Sequence, residues 1–303
     1  MKERYEYTST GDLCGWFGVS RQAYYQHEWA STEEVFQSGL LIEEVKQIRN
    51  RHRRIGVRKL QELLRPFMQE HGIKIGRDGL FDLLSIHGLL VRRRKRKVKT
   101  TFSHHWLKKY PNLIVDFTPT KPNELWVSDI TYWKIGEQPV YLSLITDACS
   151  HKIVGYHLSE NLHSEQTIKA LKMALSSLDD RSAISERLIH HSDRGVQYCC
   201  FSYVNLLQKK HINISMTQSG DPLENAIAER VNGIIKDEYL MNYQCNDMKD
   251  ARKKLAVAVS LYNKERPHNS IGNLIPEVVH SQYHQIEKGK IKKLWKNYYS
   301  KRN

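Results

Sequence analysis

Six consecutive basic residues, Arg92 to Lys97, place the strongest constraint on how this chain can fold. Adjacent cations repel one another and resist packing into a core, so the run is predicted to be an exposed linker. The chain has 303 residues, which is enough for two or more domains. We therefore expect separately folded regions before and after the run.

The charge of the chain is unevenly distributed. Residues 1–110 contain 22 Lys and Arg against 12 Asp and Glu, residues 284–303 contain 7 against 1, and residues 111–283 contain 18 against 20. Two basic flanks around a near-neutral centre indicate flanks that bind a polyanion and a centre with another task. Because Lys and Arg bind phosphates by releasing counterions, we expect the linker to contact DNA through Arg92, Arg93, Arg94, Lys95, Arg96 and Lys97.

The five cysteines form no Cys-x-x-Cys pair. Such a scattered, odd set favours a reducing cytosol over a disulfide framework. No apolar run approaches the ~18 residues that a membrane span needs, and residues 1–10 are polar rather than typical of a signal peptide. We expect a soluble protein of the cytoplasm with no membrane partner.

Two helical regions are predicted before the linker. Residues 1–30 contain a short helix-turn-helix in which Ser20 caps a helix that begins near Arg21. Residues 38–91 contain three apolar stripes at helical spacing and a second turn before a helix with Arg77 near its start. Arg21 and Arg77 are candidate DNA contacts. The alternative is a plain helical bundle, since the stripes themselves indicate only a core.

The pattern changes after a linker region at residues 92–120. Residues 121–283 contain, in order, three predicted strands, a helix, a strand, a helix, a strand and a helix: Glu124–Trp133, Val140–Thr146, Lys152–Leu158, Ser164–Leu178, Arg187–His191, Phe201–Lys210, Ile212–Met216 and the helix of Glu229. A further helix is predicted at Asp247–Lys264. This order predicts one mixed five-stranded sheet flanked by helices, an α/β core of ribonuclease H type. Residues 284–303 are predicted to be a basic tail.

The helix of Glu229 has one unusual face. At 3.6 residues per turn, offsets of three, four and seven return to the same side, which groups Asn225, Glu229, Asn232 and Lys236. Small neighbouring side chains leave room for a ligand or another chain. Alone, such a face is more often simply solvated.

Three carboxylates change that interpretation. Asp129 lies inside the first predicted strand, where an ionised side chain needs a compensating cation. Asp193 follows the fourth strand, which neighbours the first in a sheet of this type, and 35 residues separate it from Glu229. Three hard oxygen donors suit magnesium, and two such ions can activate an attacking oxygen and stabilise a leaving one. The sequence therefore predicts phosphoryl transfer on a nucleic-acid backbone.

These segments resemble the DDE transposases of the insertion sequence three family, whose catalytic core is shared with retroviral integrases. The matching segments are Trp126–Tyr132, His191–Tyr198 and Asn225–Glu229 with Lys236 seven residues later, and Tyr262–His268 resembles the family's closing signature. The ordered set with its 35-residue spacing is specific, whereas each segment alone is not.

The resemblance implies an enzyme that cuts and joins DNA. The three carboxylates would hold two magnesium or manganese ions, water would be activated to nick a transposon end, and the freed 3′-hydroxyl would attack another DNA strand. Lys236 would contact DNA near the transposon end, and Asn225 and Arg230 on the same helix are candidate DNA contacts as well.

Partners follow from the same resemblance. They would be double-stranded DNA, as terminal inverted repeats and as target, and at least a second copy of the chain, since two ends must be assembled. Family members also carry an upstream helix-turn-helix and leucine zipper, often joined by frameshifting. The chain is therefore interpreted as a downstream reading frame product, with the upstream product as a candidate partner, acting in the bacterial cytoplasm on the nucleoid.

Two other functions stay open at this point. A nuclease of the same fold would hydrolyse DNA without joining it, and three carboxylates do not exclude this. A DNA-binding regulator with an inactive core is disfavoured, since such a core has no need of all three acids. The zinc module of retroviral integrases is absent: His190–His191 and Cys199–Cys200 have the wrong arrangement, and the cysteines are interpreted as helix-packing residues.

Overall fold

The computed structural model describes residues 8–91, 105–178, 188–218 and 225–285. The chain divides into two compact units, the first comprising Met1–Asn50 and Gly56–Leu90 and the second comprising Arg51–Ile55 and Val91–Asn303. The six-cation run and all but the first two residues of the predicted basic tail lie outside the described residues. Within the described ranges, no helix has both the length and the apolar character required to cross a bilayer.

The first unit is helical. Its elements are α1 (Thr10–Trp16), α2 (Arg21–Arg51), α3 (Val57–Glu70) and α4 (Arg77–Ile86). The Ser20 hydroxyl accepts a hydrogen bond from the Ala23 N–H at 3.0 Å, which confirms the predicted helix start. Helix α2 runs without a break through residues 30–38, where the sequence suggested a boundary, so the division of this region into two domains stays a prediction.

The apolar stripes predicted in the first unit form its core. Helices α2, α3 and α4 contribute, and the buried members of the stripes are Leu41, Val45, Ile48, Leu60, Leu64, Leu80 and Leu84. Gly72 in the turn after α3 has a φ of +66°, a left-handed conformation that glycine adopts without strain. The helix, turn and helix predicted here are therefore confirmed as local structure.

The second unit contains a five-stranded mixed sheet. Its strands are β1 (Leu125–Ile135), β2 (Gln138–Asp147), β3 (Ile153–Ser159), β4 (Ile189–Ser192) and β5 (Asn213–Met216). The order across the sheet is β3-β2-β1-β4-β5. Strands β1, β2 and β3 pair antiparallel, whereas β4 pairs parallel with β1 and with β5. The predicted α/β fold is confirmed, including the adjacency of the first and fourth strands.

Helices cover both faces of this sheet. They are α5 (Ser164–Ser176), α6 (Val196–Cys199), α7 (Phe201–Lys209), α8 (Ala226–Ile234), α9 (Met248–Glu265) and α10 (Pro276–Ser281). Alternate β2 residues point to opposite faces: Leu144 joins the cluster with α8 and α9, and Ile145 joins the cluster with α5 and α7. At Gly155 of β3, an added Cβ would lie 2.3 Å from the Ala170 carbonyl oxygen, so glycine is needed where α5 approaches the sheet.

Two features of the second unit were not predicted. Helices α6 and α10 are too short to leave a clear periodic pattern. A π-helical turn at Ile235–Tyr239 extends α8 directly, and such turns are rare and often accompany functional sites.

The segment Tyr262–His268 closes the second unit. The Asn263 side chain accepts from Ile153 N and donates to Ile153 O, both at 2.9 Å, so its amide pairs with the β3 backbone. Arg266 forms a two-point ion pair with Glu238 of the π-helical turn, with both N–O distances 2.8 Å. This segment therefore connects the end of α9 to both the sheet and the extension of α8.

Candidate active site

Asp129 and Asp193 lie beside each other where the parallel β1–β4 ladder ends. The last two β1–β4 pairs join Trp126 to His190 and Val127 to His191. Asp129 lies two positions after Val127, and Asp193 lies two positions after His191. Neighbouring strands are roughly 4.8 Å apart, so the pairing register brings these two acids together.

The electrostatic environment of Asp129 agrees with this placement. The pKa of Asp129 is raised to about 7, mainly by burial and next by the negative charge of Asp193. Hydrogen bonds from the Asn232 amide and the Ile130 N–H act in the opposite direction, and Glu229 adds a smaller upward contribution. Asp129 therefore responds to the charges of both other predicted catalytic acids.

Asp193 opens a tight turn. Its Oδ1 accepts a hydrogen bond from the Gly195 N–H at 2.9 Å. A Cβ added at Gly195 would lie 3.0 Å from the same oxygen, so the close approach of the carboxylate favours glycine here. The backbone of Gly195 has an ordinary φ of −64°, so this turn needs no left-handed residue.

Glu229 lies in the first turn of α8, and the residues around it attach this helix to β1. Asn225 donates from Nδ2 to the Ser128 carbonyl at 2.9 Å, and Asn232 donates from Nδ2 to Asp129 Oδ2 at 2.8 Å. These amides precede and follow Glu229 on the predicted face. That face therefore lies against the strand that carries Asp129.

Lys236 continues the same face. Its ammonium group lies 3.7 Å from the centre of the Tyr132 ring, a cation–π contact with β1. Burial lowers the pKa of Lys236 from its ordinary value, and Asp237 partly opposes this.

Sequence reasoning assigned no role to Asn232, although it placed this residue on the correct face. Asn232 is 3% exposed and is the described side chain that donates to Asp129. Asn232 is three positions after Glu229, which places both on the same face of a helix, and this spacing was the sequence signal that could have identified it. Ser128 was missed as well: its hydroxyl donates to the Tyr198 hydroxyl at 3.0 Å and links β1 to α6 behind the acids.

The three carboxylates have the donor chemistry of a site for a hard divalent cation. Carboxylate oxygens are the ligands that magnesium and manganese prefer, and a cation would offset the repulsion that raises the pKa of Asp129. Within the described residues, however, no three His, Cys, Asp or Glu side chains are close enough together to hold one ion. Asp129, Asp193 and Glu229 are thus electrostatic neighbours without the spacing of a closed metal centre.

The predicted DNA contacts occupy varied positions. Arg230 and Arg21 are exposed, and Arg77 is exposed with its guanidinium 2.7 Å from the Asp78 carboxylate. Lys236 is half-buried, and Asn225, which is 6% exposed, has its amide turned to the β1 backbone. The linker residues Arg92, Arg93, Arg94, Lys95, Arg96 and Lys97 lie outside the described residues.

Comparisons with known proteins match much of the second unit. Two family matches, both described as an integrase core domain, cover residues 119–222 and 210–276. The first contains Asp129 and Asp193, and the second contains Glu229. The catalytic HTLV-2 integrase core domain, solved with magnesium in a dimeric form, is 22% identical, covers 53% of this chain and 97% of its own, and gives a TM-score of 0.43.

Relatives extend the similarity to most of the chain. The insertion element IS600 uncharacterized 31 kDa protein of Shigella sonnei is 36% identical over 90% of this chain and 99% of its own length. The transposase for insertion sequence element IS629 of the same organism is 26% identical over 94% of each. With the integrase core, the mixed sheet and the ordered acids, these relatives establish that the chain belongs to the insertion sequence three family of DDE transposases.

Proposed function

We propose that Asp129, Asp193 and Glu229 are the catalytic residues of this transposase and that they hold two magnesium or manganese ions. The observation that carries the proposal is the β1–β4 register, which brings Asp129 beside Asp193, together with the influence of Glu229 on the same carboxyl group. Nuclease action alone is disfavoured by membership of a transposase family.

Each part of the site has a distinct task in this proposal. The rigid sheet fixes Asp129 and Asp193, and α8 brings Glu229 to them. When bound, the metal ions supply Lewis acidity and an activated oxygen nucleophile for phosphodiester chemistry. Asn232 holds the Asp129 carboxylate in one orientation from a buried position. Because the three carboxylates are not spaced to enclose an ion by themselves, phosphate oxygens of bound DNA and water would complete the coordination.

DNA binding completes the proposal. We infer that terminal inverted repeats and target DNA contact Lys236 and Arg230 at α8 and its extension, Arg21 and Arg77 in the helical unit, and the six-cation linker. Asn225, which is buried with its amide on the β1 backbone, would support α8 rather than contact DNA. Joining two ends requires at least two copies of the chain on DNA. The upstream reading frame product is a candidate partner, and the bacterial cytoplasm, at the nucleoid, is the proposed location.

A strand-transfer assay tests these assignments. The wild-type protein is incubated with magnesium and labelled terminal inverted repeats and compared with Asp129→Asn. The matched control is Asp116→Asn, which removes an exposed carboxylate of the same unit. Joined products that disappear only in Asp129→Asn support the proposal. Hydrolysis without joining would indicate a nuclease, and equal activity of both variants would remove Asp129 from the site.

A further inference from the structure

We propose that Trp106 is a stacking platform for an unpaired DNA base beside the catalytic acids, an inference that rests on the proposed DNA-cutting function. Trp106 is 92% exposed, and no other large apolar side chain among the described residues is more exposed. Single exposed apolar residues are common on protein surfaces, so exposure alone carries little. The attachment of its neighbours is what distinguishes this tryptophan.

The residues on both sides of Trp106 are anchored. His105 donates from Nε2 to the Arg194 carbonyl at 2.7 Å. Leu107 and Tyr110 pack against the core cluster that contains Trp126 and Tyr203. The indole is therefore exposed on an anchored segment. Binding of a base would require little further ordering of the protein, so the entropic cost of stacking would be small.

The anchoring contact also places Trp106 close to the catalytic acids. Arg194 directly follows Asp193, and its carbonyl is the group that His105 contacts. Trp106 is the next residue along the chain from His105. A DNA strand bound near Asp193 would therefore pass the exposed indole.

Charge decides which kind of partner fits this surface. Lys108 and Lys109 are two and three positions after Trp106, and Arg194 is the residue whose carbonyl accepts from His105. These local cations favour a polyanion as the partner of this surface. Aromatic rings interleaved with cations are the surface on which nucleic-acid strands bind by base stacking.

The base must be unpaired. In a duplex, both faces of each internal base are covered by its neighbours, so a flat indole can stack only on a terminal or extruded base. Stacking of this kind contributes roughly 1–3 kcal/mol per base, which corresponds to about a 5- to 150-fold change in affinity.

The test uses two matched DNA duplexes with the same end sequence, one fully paired and one with two mismatched terminal pairs that contain 2-aminopurine. Binding is measured with full-length protein carrying Asp129→Asn, so that no cleavage occurs. Trp106→Ala is compared with Trp106→Phe and with the control Phe201→Ala, which removes an aromatic ring that is 80% exposed in the same unit.

We expect Trp106→Ala to weaken binding to the mismatched duplex by about 5-fold or more and to abolish the quenching of 2-aminopurine fluorescence. Trp106→Phe should retain both, and Phe201→Ala should change neither. An equal loss on both duplexes, or unchanged quenching, would overturn the inference, as would a loss of self-association with DNA binding intact. Because these readouts need no catalysis, a failure of the proposed activity would be recognised separately in the strand-transfer assay.

Discussion

Asn232 donates a hydrogen bond to Asp129 across 2.8 Å, and this contact joins the helix that carries Glu229 to the strand that carries the first of the proposed catalytic acids. The two residues are 103 positions apart in the chain. The donor favours the ionised form of Asp129, in opposition to burial and to the neighbouring acids. Asn232 therefore acts on the charge of Asp129 as well as on its orientation.

Replacing Asn232 with Leu should weaken metal binding. The substitution keeps the number and branching of the side-chain heavy atoms but removes the donor, so the pKa of Asp129 should rise and its carboxylate should become less well oriented. Loss of a group that orients a metal ligand typically lowers metal affinity by about 10- to 100-fold. The measurement is the magnesium or manganese concentration that gives half-maximal strand transfer.

Asn263→Leu is the matched control for that experiment. Asn263 is also a buried amide, but it bonds to the backbone of Ile153 rather than to one of the three carboxylates. The Asn263→Leu variant should have a lower Tm, but the metal concentration that gives half-maximal strand transfer should not change. If both variants shift the midpoint equally, the effect of Asn232 is general destabilisation and its role at Asp129 is refuted.

Asp129→Asn should stabilise the metal-free protein while abolishing strand transfer. The wild-type carboxyl is desolvated and repelled by Asp193 and Glu229, and the neutral amide avoids both penalties. We expect a gain of roughly 1–3 kcal/mol at neutral pH, visible as a Tm several degrees higher in the presence of a chelator. Added magnesium should stabilise wild type more than the variant. A lower Tm for the variant would contradict the strain inferred at this site.

The local sequence pattern was sufficient to predict most helices and strands of the second unit. Richness in β-forming residues located β1, β2 and β3, and the helical spacing of Asn225, Glu229, Asn232 and Lys236 correctly grouped four residues on one side. These features depend on neighbours within a few positions, which a sequence displays directly.

The direction of that face could not be predicted. The face was interpreted as open to a ligand or another chain, with Asn225 and Lys236 as candidate DNA contacts, whereas Asn225, Asn232 and Lys236 contact β1. Such packing depends on contacts about a hundred residues apart in the chain, which periodicity does not encode. The same limit hid the π-helical turn, since its Glu238 is held by Arg266 from the end of α9.

The buried histidines predict a loss of stability in mild acid. Burial lowers the pKa of His190 to about 3 and that of His151 to about 4, against about 6.5 in the unfolded chain. Because the unfolded state binds protons first, stability should fall as the pH drops below about 6.5 and continue to fall toward the folded-state pKa values. His190 alone should contribute roughly 2–3 kcal/mol of this loss between pH 7 and pH 4.5.

His190→Gln tests that contribution. Glutamine does not titrate and can still accept a hydrogen bond from the Tyr203 hydroxyl, which lies 2.9 Å from His190 Nε2. Urea unfolding at pH 7 and pH 4.5 should show a smaller difference for the variant than for wild type. An unchanged difference would mean that His190 is not the group that takes up the proton.

Glu238→Gln should destabilise the second unit by about 3–5 kcal/mol. Arg266 is 1% exposed, so loss of its partner leaves a buried charge without compensation. Replacing both residues with Met should be closer to wild type than Glu238→Gln, because it removes both charges from the interior. The exposed pair Lys46–Glu43 is the control and should contribute no more than about 1 kcal/mol. A double-mutant cycle with urea unfolding measures both pairs, and equal coupling energies would show that burial does not set the strength of the Arg266 contact.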